Sequence, residues 1–341
     1  MSVEDLPVPT ITAGEALVAI GACGLCATDV KTYRRGHPRI APGAVLGHEM
    51  AGTVVALGGD GPLRDREGRQ WRLGDRVAVP PYLSCGQCEM CVSERTTLCP
   101  RLMEVTPDPG GFAEMVRVPA RIVSEGLARL ADHVEFALGA LVEPLACVVH
   151  GFDALDLGGG GSLLVLGDGP MGQLYVALGR AQGCSPIILV GATDARLAFA
   201  RHGADVVLDA RQGEIVERAR QISGGGVAGV AVCVGTPESV ATGVALAQPG
   251  GRVNVFAGMP AGQSAAVDLG RIHYDEVRLL GTFGSGATDF RRAADLIASG
   301  RVELARFITS RVPIASALEA FERSAGYEGI KTVVVFGEDS P

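Results

Sequence analysis

The sequence predicts an α/β protein in which a doubly wound parallel sheet is joined to a second, β-rich unit. Three observations carry that expectation. Between residues 163 and 280, six apolar strand-like runs alternate with helical stretches, the rhythm of βαβ units and a parallel sheet. The first run leads straight into Gly167-Asp168-Gly169-Pro170-Met171-Gly172, a glycine turn that opens a helix. The first third of the chain has another texture: short apolar runs bounded by Gly, Pro and Asp, with no helical periodicity between them.

Taken in order, residues 16–20, 51–56 and 76–80 read as strands, and 136–141 and 145–149 as largely buried helix. The alternating region follows, with strands at 163–166, 187–190, 206–208, 230–234, 253–256 and 277–280 and a helix over 172–180 after the glycine turn. Six strands complete one doubly wound domain. The later elements are therefore expected to return to the first domain: an amphipathic helix over 290–299, another near 314–323 and a closing strand at 332–336. The division expected is 1–145 with 285–341, and 146–284 as the inserted unit.

Composition narrows the function. The 341 residues are 47% hydrophobic and 20% charged, enough to bury a sizeable core. With 30 Lys+Arg against 38 Asp+Glu the net charge is −8, and no basic block occurs, which argues against nucleic acid or an anionic membrane as partner. No apolar run is read as approaching the ~18 residues of a membrane span. The acidic start, Met1 to Pro7, lacks the apolar stretch of a signal peptide, so a cytoplasmic location is expected. The 48 glycines are about twice the usual share and must serve turns and close backbone approaches. In a reducing compartment the nine cysteines read as metal ligands or catalytic groups rather than as disulfides.

Three motifs carry chemistry. Cys85-x2-Cys88-x2-Cys91-x7-Cys99 puts four thiols in fifteen residues of polar loop, the pattern of a closed, structural tetrahedral zinc site. In the glycine turn, Gly167 permits the tight turn, Gly169 admits a pyrophosphate and Gly172 lets helix and strand pack closely. The third motif is dispersed: Cys26-Ala27-Thr28-Asp29, Gly47-His48-Glu49 and Glu143-Pro144. Together these segments offer sulfur, nitrogen and oxygen ligands as open zinc sites do, although the spacing alone suits ordinary core and surface residues equally well. Cys23 and Cys26 form a C-x-x-C pair, but Cys23 reads as a core residue.

With these motifs in this order, the chain resembles the zinc-containing medium-chain dehydrogenases, and within them the polyol (sorbitol/L-iditol) dehydrogenase and threonine dehydrogenase branch. The resemblance extends to His273-Tyr274-Asp275-Glu276, Gly281-Thr282-Phe283-Gly284 and Lys331-Thr332-Val333-Val334. It implies a Rossmann domain plus a GroES-like catalytic domain, and a hydride transfer between a nicotinamide cofactor and the secondary alcohol or ketone of a polyol, sugar or cyclitol. An amino-alcohol dehydrogenase of the threonine type, or a non-catalytic zinc- and nucleotide-binding module, are the alternatives.

It further implies that Cys26 and His48 ligate a catalytic zinc and that Glu49 and Glu143 bind it or exchange with water. Charge counting allows only one of the two glutamates at a time. Glu143 stands where alcohol dehydrogenases have a second cysteine, which points toward polyols. Thr28 would accept the alcohol proton and Asp29 would orient a zinc ligand. A family relay histidine is replaced by Lys31. Two zinc ions per chain, a homodimer or homotetramer joined near residues 277–283, and a small-molecule substrate are expected. The second Rossmann strand ends at Gly191 without the usual ribose-binding acid. Asp194, 22 residues beyond Gly172, would take that part, while Arg196 would favour a 2′-phosphate, so the balance leans to NAD over NADP.

Overall fold

Among the residues described by the computed structural model, 1–38, 40–326 and 328–337, thirteen strands form two sheets. In chain order these are β1 (Ala16–Gly24), β2 (Glu49–Leu57), β3 (Arg76–Val79), β4 (Met115–Val118), β5 (Ala128–Arg129), β6 (Leu163–Leu166), β7 (Ile187–Gly191), β8 (Val206–Asp209), β9 (Val227–Val232), β10 (Ala247–Val255), β11 (Arg278–Gly281), β12 (Ile308–Pro313) and β13 (Lys331–Val335). The chain divides into Met1–Ala146 with Ser285–Pro341, and Cys147–Gly284.

The first unit holds a seven-stranded sheet in the order β12-β13-β1-β2-β3-β5, with β4 also on β1. β1 alternates buried and half-buried residues as a strand with one core face should. One end of β1, Ala16–Ala19, pairs with β4, and the other, Ala22–Gly24, pairs with β13. Beneath lies a core around Val18, Ile20, Trp71, Val77 and Ile122. Trp71 is 1% exposed, and its indole N–H donates to the Val123 carbonyl at 2.9 Å, so the large ring is buried without an orphaned donor.

Register decides what this sheet brings together. β1 and β2 run antiparallel with Gly24 opposite Glu49, and β1 and β13 with Gly24 opposite Val333. The segment leaving β1 at Cys26 therefore emerges beside the start of β2, at His48 and Glu49, and beside the start of β13, at Lys331. Leu25 N–H donating to Thr332 O at 2.9 Å continues the ladder past the strand's end.

The second unit is a six-stranded parallel sheet, β11-β10-β9-β6-β7-β8, the doubly wound order with its switch point between β6 and β9. β6 and β7 are buried along their whole length, as strands covered on both faces are.

Several expectations need correction. A helix spans Ala27–Arg35 in the region read as strand and loop; it escaped notice because a thiol, Cys26, caps it in place of the usual oxygen side chain. β4, β5 and β12 were not anticipated: two are very short, and β12 is polar and ends in proline. The run at 230–234 leaves its strand at Val232, and that at 253–256 is the end of a longer strand that passes through Pro249. The stretch Phe136–Asp153 is long and apolar enough to cross a membrane, contrary to the sequence reading; it is 72% buried inside the protein. Glu143, Pro144 and His150 hide its apolar length in sequence.

Candidate active site

Cys26, His48 and Glu49 each place a ligand atom within 4.8 Å of the others. Cys26 caps the helix Ala27–Arg35: its sulfur accepts the Thr28 N–H at 3.4 Å, and Asp29 returns the bond by accepting the Cys26 N–H at 3.0 Å. The other Asp29 oxygen takes the Gly47 N–H and lies 3.2 Å from His48 Nδ1. One buried carboxylate thus fixes the cap, the approach to β2 and the imidazole ring, which leaves Nε2 as the histidine's ligand atom.

Glu49 is 1% exposed and pairs through Oε1 with Lys331 Nζ at 2.5 Å. Its Oε2 is buried and has no hydrogen-bond partner among the described residues. A charged oxygen left without a donor is expensive, on the order of 1–3 kcal/mol or more, unless a cation or a water takes it. Gly24 makes room for it: a Cβ there would stand 2.0 Å from Oε2. The charges tell the same story. Burial alone would push His48 down, but Cys26 and then Asp29 outweigh it and hold the imidazole well above its ordinary value. Lys331 is likewise driven down by burial and held up by Glu49 first, then by Cys26 and Glu143. Sulfur, imidazole and an unpartnered carboxylate oxygen in an anion-rich pocket fit Zn²⁺.

Glu143 lies in the first turn of the helix Val142–Asp153 and is 9% exposed. It faces the same ammonium, but the cluster of three close donors does not include it. Thr28 and Lys31 are exposed on the helix that Cys26 caps, one turn apart. Cys23 is fully buried in the core of the sheet, apart from Cys26.

Cys85, Cys88, Cys91 and Cys99 form the second cluster. Their sulfurs are 3.5 Å (Cys88 to Cys91) and 3.8 Å (Cys85 to Cys91, Cys88 to Cys99) apart. A tetrahedron with Zn–S near 2.3 Å has edges of about 3.8 Å, close to these three separations. Backbone N–H groups of Gln87 and Cys88 bring the Cys85 thiol down to about 5. Cys88, although it accepts from the Cys91 backbone, is pushed up to about 11 by burial and its neighbouring thiols. Such crowding of sulfurs is relieved by a metal that deprotonates them all.

In the second unit, Gly167 has φ 124°, a conformation few other residues adopt. A Cβ on Gly172 would stand 1.9 Å from the Gly167 carbonyl, whereas one on Gly169 would meet nothing nearer than Arg196 Nη1 at 3.9 Å. The turn is closed on its packing side and open at Gly169, where Pro170 and Met171 begin the helix Pro170–Ala181. Arg196 is 8% exposed and lies against this turn. Asp194, by contrast, is 83% exposed and is ion-paired with Arg211.

Two residues went unassigned in the sequence. Lys331 was noted only within the Lys-Thr-Val-Val run; a lone lysine opening an apolar strand was the signal. Asp168, inside the glycine turn, accepts from the Ala192 and Thr193 N–H groups at 2.9 and 2.7 Å. Nothing local in sequence links it to those positions.

Residues 12–127 match the family described as "Alcohol dehydrogenase GroES-like domain", and residues 170–299 match "Zinc-binding dehydrogenase". The chain is similar to a sorbitol dehydrogenase of Bacillus subtilis, with 28% identity over 96% of this chain and 91% of that one. It is also similar to an L-threonine 3-dehydrogenase of Bacillus velezensis, with 30% identity over 94% of this chain and 90% of that one. Among solved structures, a zinc-binding dehydrogenase from Sinorhizobium meliloti bound to NADP superposes with a TM-score of 0.89, at 32% identity over 98% of this chain and 96% of that one.

Proposed function

The chain belongs to the zinc-binding medium-chain dehydrogenases with a GroES-like domain, oxidoreductases that use zinc and a nicotinamide cofactor, and from that premise we propose how its own residues serve the reaction. The substrate is the secondary alcohol of a polyol, sugar or cyclitol, or the matching ketone. The observation that carries this reading is the buried Glu49 oxygen with no hydrogen-bond partner among the described residues, close to Cys26 and His48, together with a glutamate at position 143.

Bound zinc would supply Lewis acidity at the alcohol oxygen, and a bound nicotinamide would supply the hydride acceptor. Cys26 and His48 would hold the metal, with Glu49 or Glu143 as a further ligand. Asp29 keeps His48 in the tautomer that offers Nε2. Thr28 takes the hydroxyl proton through a hydrogen bond. Lys331 neutralises Glu49, so that a thiolate and a carboxylate together do not blunt the metal's acidity. The turn at Gly167, Gly169, Pro170, Met171 and Gly172 receives the cofactor pyrophosphate, with Arg196 beside it.

The four-cysteine loop holds a second, structural zinc. NAD is the cofactor preferred. The exposed edge strand β11, with Leu279 and Phe283 uncovered beside it, supports a homodimer or homotetramer. Thiolate donor sets need a reducing compartment, which supports a cytoplasmic location. The similarity to threonine dehydrogenase supports a second reading, an amino alcohol as substrate.

The test is NADH formation with a panel of sorbitol, xylitol, inositol and threonine, alongside metal analysis of the purified protein. A polyol or cyclitol turned over best, with two zinc ions per chain, is the expected result. Threonine as best substrate would select the second reading. Cofactor binding without turnover of any alcohol would make the chain a binding module.

A further inference from the structure

A doubly wound domain places the acid that hydrogen-bonds the adenosine ribose at the end of its second strand. Here that strand, β7, ends in Gly191, and the space of the missing side chain is filled from elsewhere. A Cβ on Gly191 would stand 2.4 Å from Asp168 Cβ and 2.6 Å from Asp168 Oδ2. Gly191 is not among the residues with positive φ, so it is glycine for room and not for conformation. Asp168 reaches over from the pyrophosphate turn and its Oδ2 takes the Ala192 and Thr193 N–H groups, at 2.9 and 2.7 Å. Asp194 points the other way: it is exposed and paired with Arg211, which also binds both oxygens of Asp209.

We propose that Asp168, in the place left open by Gly191 and instead of Asp194, is the acid that receives the ribose hydroxyls and makes this chain select NAD over NADP. The assignment rests on the dehydrogenase reading above. Its chemistry is that of a strand-end acid, delivered from the turn after β6. A carboxylate accepts from the two ribose hydroxyls but repels a 2′-phosphate, which carries no proton to donate. The same carboxylate occupies the N–H groups of Ala192 and Thr193, just ahead of the next helix, donors that an incoming phosphate would otherwise use. Arg211 is matched by Asp194 and Asp209, so it offers the phosphate little net positive charge.

Calorimetric binding of NADH and NADPH to the zinc-loaded protein tests this without turnover. The wild type should bind NADH about tenfold or more tighter than NADPH, the difference expected of one charge-assisted contact. Asp168→Asn keeps the shape and removes the charge, and should bring the ratio to within about threefold, mostly through tighter NADPH binding. The exchange Asp168→Gly with Gly191→Asp puts the acid back at the strand end and should restore the NADH preference. A wild type that prefers NADPH, or an Asp168→Asn protein with an unchanged ratio, would overturn the assignment while leaving the dehydrogenase reading intact. Failure of the wild type to bind either cofactor would instead remove the reading on which it rests.

Discussion

Cys85, Cys88, Cys91 and Cys99 come from one loop of fifteen residues, whereas Cys26, His48 and Glu49 come from the facing ends of two strands, and Lys331, against Glu49, from a third. The loop cluster has four sulfurs gathered within 4.8 Å of one another, enough to complete a tetrahedral shell by themselves. The strand-end cluster has an oxygen without a hydrogen-bond partner among the described residues, a buried ion pair and a second glutamate nearby. On the proposed reading, the difference separates two uses of the same metal. A short loop with little apolar area of its own would gain its stability from an ion it enclosed. A sheet that is already stable can hold donors in an arrangement still short of one partner, which on the proposed reading leaves a place for substrate.

The largest expected effects set the two clusters against each other. Cys26→Ser should lower kcat by about three orders of magnitude, the several kcal/mol a Lewis acid supplies, with the melting temperature little changed. Cys91→Ser should do the reverse in kind, lowering stability by on the order of several kcal/mol as the loop loses its metal. Thermal melts and kcat measured on both variants check the pair. Equal loss of stability in both would erase the distinction between an open and a closed site.

Lys331→Met comes next, because it strips a buried carboxylate of its partner. Removing one member of a buried pair costs about 3–5 kcal/mol, and the penalty should be smaller in Glu49→Gln/Lys331→Met, where no charge is left behind. Denaturant melts of the single and double variants measure it. A single variant as stable as the wild type would mean that Glu49 does not depend on Lys331.

Glu143→Ala bears on whether the strand-end site exchanges ligands. It should lower kcat by about tenfold to a hundredfold while zinc content stays near that of the wild type. Complete metal loss would make Glu143 a permanent ligand and the site as closed as the cysteine loop. The smallest effect is expected at Lys31, exposed one turn beyond Thr28. Lys31 is exposed to solvent and is not one of the three close donors, so Lys31→Ala should cost less than about tenfold in kcat. A larger loss with a shifted pH profile would assign Lys31 to the proton path.

Local sequence carried what local physics decides. The alternation of apolar runs predicted the parallel sheet, because strands buried on both faces must be apolar throughout. The cysteine spacing foretold that the four sulfurs gather, because all four lie on one short loop. The glycine turn was legible because a strand and a helix flank it directly. Short strands such as β4 and β5 were not legible, since four residues or fewer carry no periodicity and exist only because β1 and β3 offer them an edge.

What only the tertiary structure decided are the pairings that cross the sheets. Lys331 meets Glu49 across 282 positions because β1 lies between β2 and β13, and an antiparallel register sets the starts of both beside Cys26. Asp168 fills the space over Gly191 because β6 and β7 are parallel neighbours, which brings the loops at their ends together. Asp194 had the right spacing from the glycine turn, yet its side chain faces Arg211 at the end of β8. Spacing along the chain places a residue near an element's end, but the direction in which its side chain points is settled by the neighbours that the fold supplies.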